Sequence, residues 1–144
     1  MNKQLRGLVA GLIATVVLTI LMVIKAKMGM LPQLNIPMML AGMLGGALIV
    51  GWIAHFVIGI VIYGLVLANA YDVIPGANAT VKGLVLSVIG WLIMMIILMP
   101  LAGAGLFGMN LGIMAPIATL ILHLIYGAVL GASYDALGRR TVTA

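Results

Sequence analysis

Apolar residues in this chain come in long unbroken stretches rather than in alternation. Four of them, roughly Gly7 to Ile24, Leu48 to Ala70, Val81 to Met99 and Pro116 to Ser133, fall in the range of about 17 to 25 residues that an α-helix needs to cross a bilayer. Within hydrocarbon the backbone must satisfy its own hydrogen bonds, and a β-barrel would need short alternating segments. The pattern predicts an all-α membrane protein with four transmembrane helices in one integral domain spanning residues 1 to 144.

Two apolar connections interrupt the runs. Residues 28 to 46 carry Pro32 and Pro37 early and Gly45 and Gly46 late. Its middle, Ile36 to Leu44, is either a short separate helix or an early, tilted start of the second span. Residues 101 to 116, LAGAGLFGMNLGIMAP, are Gly-rich and uncharged, so they are expected to pack against protein rather than stand free in water.

The polar residues set the orientation. MNKQLR before an apolar run resembles the start of a secretory signal, but Lys25, Ala26 and Lys27 end the run without a convincing small-residue cleavage site, so the first helix is expected to stay. With both termini in the cytoplasm, Lys3, Arg6, Lys82, Arg139 and Arg140 lie inside and Lys25 and Lys27 outside, the bias that the positive-inside rule favours. The expected topology is therefore N-in and C-in.

One stretch occurs twice. YGLVLANAYD at residues 63 to 72 returns as YGAVLGASYD at 126 to 135, and RGLV at 6 to 9 returns as KGLV at 82 to 85. These echoes predict two tandem hairpin repeats, 5 to 72 and 81 to 135, parallel because each begins and ends on the same side. The longer first connection absorbs the difference in length.

Helical spacing lines up Gly64, Ala68 and Asp72 on one face, and Gly127, Gly131 and Asp135 on another. Gly7 and Gly11 follow Arg6, and Gly83 and Ser87 follow Lys82, in the same small-xxx-small spacing. Small residues let membrane helices approach closely, so the bundle should pinch at this end. Arg6, Lys82, Asp72 and Asp135 sit at one level and are expected either to form pseudo-symmetric ion pairs or to snorkel separately into the headgroups. Tyr71 and Tyr134 are expected as interface anchors. The deeper Tyr63 and Tyr126 need a hydrogen-bond partner, most simply a backbone carbonyl.

Composition narrows the chemistry. Sixty-five per cent of residues are hydrophobic and six per cent charged, which leaves little polar machinery for catalysis. Glu and Cys are absent and Asp72 and Asp135 are the only acids; no Ser-His-Asp set, metal-binding carboxylate cluster or phosphate-cradling loop appears, and no enzyme is expected. The net charge of +5 is carried by residues flanking apolar runs, where lipid phosphate rather than nucleic acid is the expected counterion.

The intramembrane histidines His55 and His123 are the sharpest candidates. They could hold haem b between helices, contact a quinone headgroup, handle a proton, or serve polar packing. Counted back from Tyr63 and Tyr126 they lie eight and three residues away, an offset of about 7 Å in depth and about 140° around the helix. A symmetric haem site is therefore disfavoured. Twelve methionines, including Met39 with Met43 and Met95 with Met99 at one-turn spacing, suit Cu(I) but also suit packing. Asn35, Asn69 and Asn110 are further polar candidates, Asn69 for a bond between helices.

RGLVAGLIATVVL, GWIAHFVIG, MPLAGAGLFGMNLGIMAP and LHLIYG together resemble a family of small bacterial inner-membrane proteins of unknown function. The resemblance covers most of the chain and implies a four-helix integral membrane protein, with no activity or ligand to carry over. The poverty of chemistry and the wealth of small-residue faces lead to the expectation of a non-enzymatic accessory or assembly subunit, or a homo-oligomeric scaffold. A small oligomeric transporter or channel, and a haem- or quinone-contacting electron-transfer subunit, are the alternatives.

Overall fold

The computed structural model describes residues 1 to 139, and Arg140 of the charge argument lies outside them. Helix α1 spans Lys3–Lys27, α2 Ile36–Met43, α3 Leu48–Asn69, α4 Ala79–Leu101 and α5 Met114–Arg139. All but α2 are long and apolar enough to cross a membrane. No strand occurs among the described residues.

Three asparagines start helices. Asn2, Asn35 and Asn78 each accept a bond from the amide three residues on, at 2.8, 3.1 and 3.0 Å, replacing an intrahelical partner that the first turn lacks. Asn35 and Pro37 together open α2 as a helix of its own. The early-start alternative for the second span is thereby excluded. Helix α2 lies along the first half of α3, with the Pro37 carbonyl directly over Gly51.

Antiparallel pairs α1 with α3 and α4 with α5 form the two tightest seams, and α1 also packs along α5. A methyl carbon on Gly64 would stand 2.5 Å from the Gly7 carbonyl oxygen, and one on Gly127 2.5 Å from the Gly83 carbonyl oxygen. Gly11 abuts the backbone of Gly59 and Ile60, and Gly131 that of Ala79. In lipid no hydrophobic force pulls helices together, so backbone approach through such glycines is what gives these seams their dispersion contacts. The fully enclosed Leu67 and Leu130 fill the space beside them. By contrast α3 and α4 touch over only a short stretch near the C-terminal end of α3.

Where α3 and α4 diverge, both leave regular α geometry: Val57–Tyr63 and Met94–Leu98 are π-helical. Such segments widen the turn and free carbonyls, and they recur at functional sites. At the far end, Leu34, Met95, Met99 and Ala104 form a second core under the 101 to 116 connection, with Phe107 edge-on to Trp91 at 5.8 Å. Phe107 pays for that contact with a left-handed backbone, φ 54°. Of the two candidate copper pairs, Met95 and Met99 are enclosed packing residues in this core, while in the other Met39 packs against the core and Met43 is exposed.

Candidate functional site

Arg6 and Lys82 were expected either to meet aspartates or to snorkel into the headgroups, and they meet carbonyls. Lys82 Nζ donates to Tyr71 O at 2.6 Å and Ile74 O at 2.7 Å, and lies 4.7 Å from the centre of the Tyr71 ring. Arg6 Nε donates to Tyr134 O, with its guanidinium carbon 3.8 Å above the Tyr134 ring. The two rings stack on each other with centroids 5.4 Å apart. Lys82 thus closes the open carbonyls just past the C-terminal end of α3, where the helix dipole favours a cation, Arg6 lies against a carbonyl within the last turns of α5, and each cation rests on an aromatic face.

Asp72 is exposed and Asp135 bonds the exposed Arg139 at 2.8 Å, the one ion pair among the described residues. The predicted pairing of Arg6 and Lys82 with Asp72 and Asp135 is therefore corrected. The carboxylates are exposed, whereas the bases turn to backbone carbonyls, those of Tyr71 and Ile74 for Lys82 and that of Tyr134 for Arg6. Tyr134 is likewise buried in the core rather than free at the headgroups.

Above this rim the helices enclose a chamber of about 490 Å³ between α1, α3, α4 and α5, in the gap left by α3 and α4. Tyr63 and Tyr126, edge to face at 5.1 Å, form its floor. The Tyr126 hydroxyl donates to Gly59 O at 2.6 Å, a carbonyl in the π-helical stretch of α3. Tyr63 lays its hydroxyl against Gly90 of α4 so closely that any side chain there would collide with it. That hydroxyl has no hydrogen-bond partner among the described residues.

The opposite end is closed by Leu34 and Leu40 and by Lys25, whose ammonium donates to Met30 O, Leu31 O and Leu34 O at 3.2, 3.1 and 2.9 Å. Thr15 and Lys25 mark the two ends along α1, about 15 Å apart at ~1.5 Å per residue. Both histidines line this one chamber, His55 from α3 and His123 from α5. Its length accommodates the depth offset between them.

His55 Nε2 lies 3.3 Å from Thr19 Oγ1, and its ring meets Trp52 and Phe56 edge-on. His123 Nδ1 lies 2.8 Å from Thr119 O. A carbonyl can only accept, so Nδ1 carries the proton and donates. The Thr119 hydroxyl bonds back to Ala115 O at 2.8 Å and accepts from Trp91 Nε1 at 3.1 Å, tying this wall together.

Haem does not suit these walls. It would bring two carboxylates, while the one cation in the chamber wall already gives its protons to three carbonyls. A neutral, mainly apolar molecule with a small polar head matches the lining. No group of three or more His, Asp or Glu residues able to hold a metal ion occurs among the described residues.

Sequence reasoning singled out the histidines and deep tyrosines but missed Gly90, Lys25, Thr15 and Thr119. The last two were legible as lone hydroxyls inside apolar runs. Asn69 accepts from Gln4 Nε2 of α1 at 3.3 Å, a bond between helices. Asn110 folds back onto the Gly103 carbonyl.

Residues 1–144 match a family described as a family of unknown function (DUF6789). No curated protein and no solved structure matches the chain.

Proposed function

The chain belongs to that family of unknown function, and from the geometry of its chamber we propose that it is a non-enzymatic integral membrane protein that holds a lipid-soluble molecule between its helices. The carrying observation is the placement of His55, Tyr63 and His123 in a mainly apolar chamber, beside the gap between α3 and α4. Ligand pockets combine that apolar lining with a few oriented polar groups. Molecules dissolved in the bilayer reach such a gap sideways.

The proposal includes two tandem hairpin repeats with both termini inside, in a bacterial inner membrane. Contacts between matching residues support the duplication: Tyr63 meets Tyr126, Tyr71 meets Tyr134, and Lys82 and Arg6 each cap the carbonyl of one of those tyrosines. Under that symmetry the tight α1 to α5 seam has its counterpart between α4 and α3, where the helices instead stand apart. The chamber occupies the interface that the duplication left open.

Small-residue faces had suggested a partner subunit, a homo-oligomer or an oligomeric channel. Gly7, Gly11, Gly64, Gly83, Gly127 and Gly131 are all consumed in seams within the chain, so they favour no outside partner. What remains outside is apolar surface such as Ile20, Ile49, Ile53 and Ile93, suited to lipid chains.

Native mass spectrometry of protein released from mild detergent tests the reading. A bound small molecule is expected on the wild type and its occupancy should fall in Leu122→Trp, whose indole would fill the chamber. Equal occupancy in both proteins, or none in either, would overturn it.

A further inference from the structure

The polar groups of the chamber constrain the head of its ligand. His123 has committed Nδ1 as a donor to the Thr119 carbonyl. In the neutral ring Nε2, the far nitrogen of the imidazole, is then obliged to accept. Nε2 has no partner among the described residues. Tyr63 supplies the opposite need, a hydroxyl lining the same chamber from α3, with a proton to give and no acceptor among the described residues. Lys25 cannot serve an anionic head without releasing the three carbonyls it closes, and no carboxylate lines the chamber to serve a cationic one.

A molecule satisfying both groups must donate to one and accept from the other while staying uncharged. A hydroxyl does both with a single oxygen, and a quinol or phenol presents it on a flat apolar ring. A quinone carbonyl can accept from Tyr63 but leaves His123 Nε2 facing another acceptor. We propose, resting on the chamber reading above, that the site takes a hydroxyl-bearing lipophile, with the ligand O–H donating to His123 Nε2 and its oxygen available to Tyr63, and so prefers a quinol to the corresponding quinone.

This ligand would pass between α3 and α4, where Tyr63 is the side chain that bridges the gap by resting on Gly90. Tyr63 thus stands both at the floor of the chamber and at its side.

The test is an anaerobic binding series on the full-length protein in lipid nanodiscs, using decylubiquinol, decylubiquinone and farnesol as probes and the shift in melting temperature as readout. The quinol should bind about tenfold more tightly than the quinone, the effect of one unmade buried hydrogen bond. Farnesol binding comparable to the quinol would assign any apolar alcohol to the site, and farnesol failing while the quinol binds would confine it to ring hydroxyls; both agree with the proposal. In His123→Phe the preference of quinol over quinone should vanish, with near-ultraviolet circular dichroism checking that the fold persists. Should His123→Phe fail to fold, the wild-type comparison decides alone. Quinone binding equal to or tighter than quinol overturns the donor and acceptor assignment while leaving the chamber reading in place. Binding of none of the three also overturns it, and the chamber reading then stands or falls on the mass-spectrometric comparison of wild type with Leu122→Trp.

Discussion

Gly127→Ala probes the seam on which the chamber depends. The new methyl would collide with Ser87 Oγ, which can rotate away, and would stand 2.5 Å from Gly83 O and 2.7 Å from Ser87 Cβ, which cannot; ordinary contact begins at 3.4 Å, so even after that rotation α4 and α5 must part by up to 0.9 Å locally. A shift of that size forfeits a quarter to a half of each contact's attraction, and across about twenty atom pairs near the crossing this amounts to about 1 kcal/mol. Residual overpacking adds roughly 1 to 2 kcal/mol. Better helix propensity returns about 0.5 to 1 kcal/mol. The net expectation is a loss of about 1 to 3 kcal/mol, read by reversible unfolding in mixed detergent micelles. Gly42→Ala on α2 is the control, because a methyl there meets nothing within 4 Å. It should be neutral or stabilising by up to about 1 kcal/mol. If Gly127→Ala is as mild as Gly42→Ala, close backbone approach is not what holds α4 to α5 and the packing argument fails.

Three further outcomes follow from the site. Lys82→Ala removes two charge-assisted bonds to carbonyls and should lose about 2 to 3 kcal/mol, while Asp72→Asn should change stability by less than about 0.5 kcal/mol; the double variant should lose the sum, and a coupling above about 0.5 kcal/mol in the same unfolding assay would revive the ion pair. Tyr126→Phe leaves the Gly59 carbonyl without its cross-helix donor at 2.6 Å and should lose about 1 to 3 kcal/mol, whereas an unchanged midpoint would mean that the bond contributes nothing. Asp135→Asn breaks an exposed pair with Arg139 and should lose at most about 0.5 kcal/mol at low salt and nothing measurable at 1 M NaCl; a larger, salt-insensitive loss would show that Asp135 does something other than meet Arg139.

The spans were readable from sequence because lipid imposes a local rule: each segment must be apolar for its full length and satisfy its backbone internally, so runs such as Leu48 to Ala70 announce themselves. The echo of YGLVLANAYD in YGAVLGASYD and the small-residue spacing beside Arg6 and Lys82 are equally local. What Arg6 and Lys82 bind was not local. Charge type suggested aspartate, but the choice depended on whether a carboxylate or a backbone carbonyl lay within reach, and that is fixed by how the helices pack against one another.

The chamber was still less legible. Nothing in SVIGWL marks Gly90 as the place where Tyr63 comes to rest, and nothing in VIGIVIY announces a π-helical turn. A cavity is the space that helices leave unfilled, so it depends on the angle between α3 and α4 rather than on any one run of residues. The sequence by itself determined four apolar spans, their repeated markers and the presence of two intramembrane histidines. Only the tertiary structure decided that His55 and His123 line one chamber, because bringing residues 68 positions apart together requires the packing of α1 against both α3 and α5.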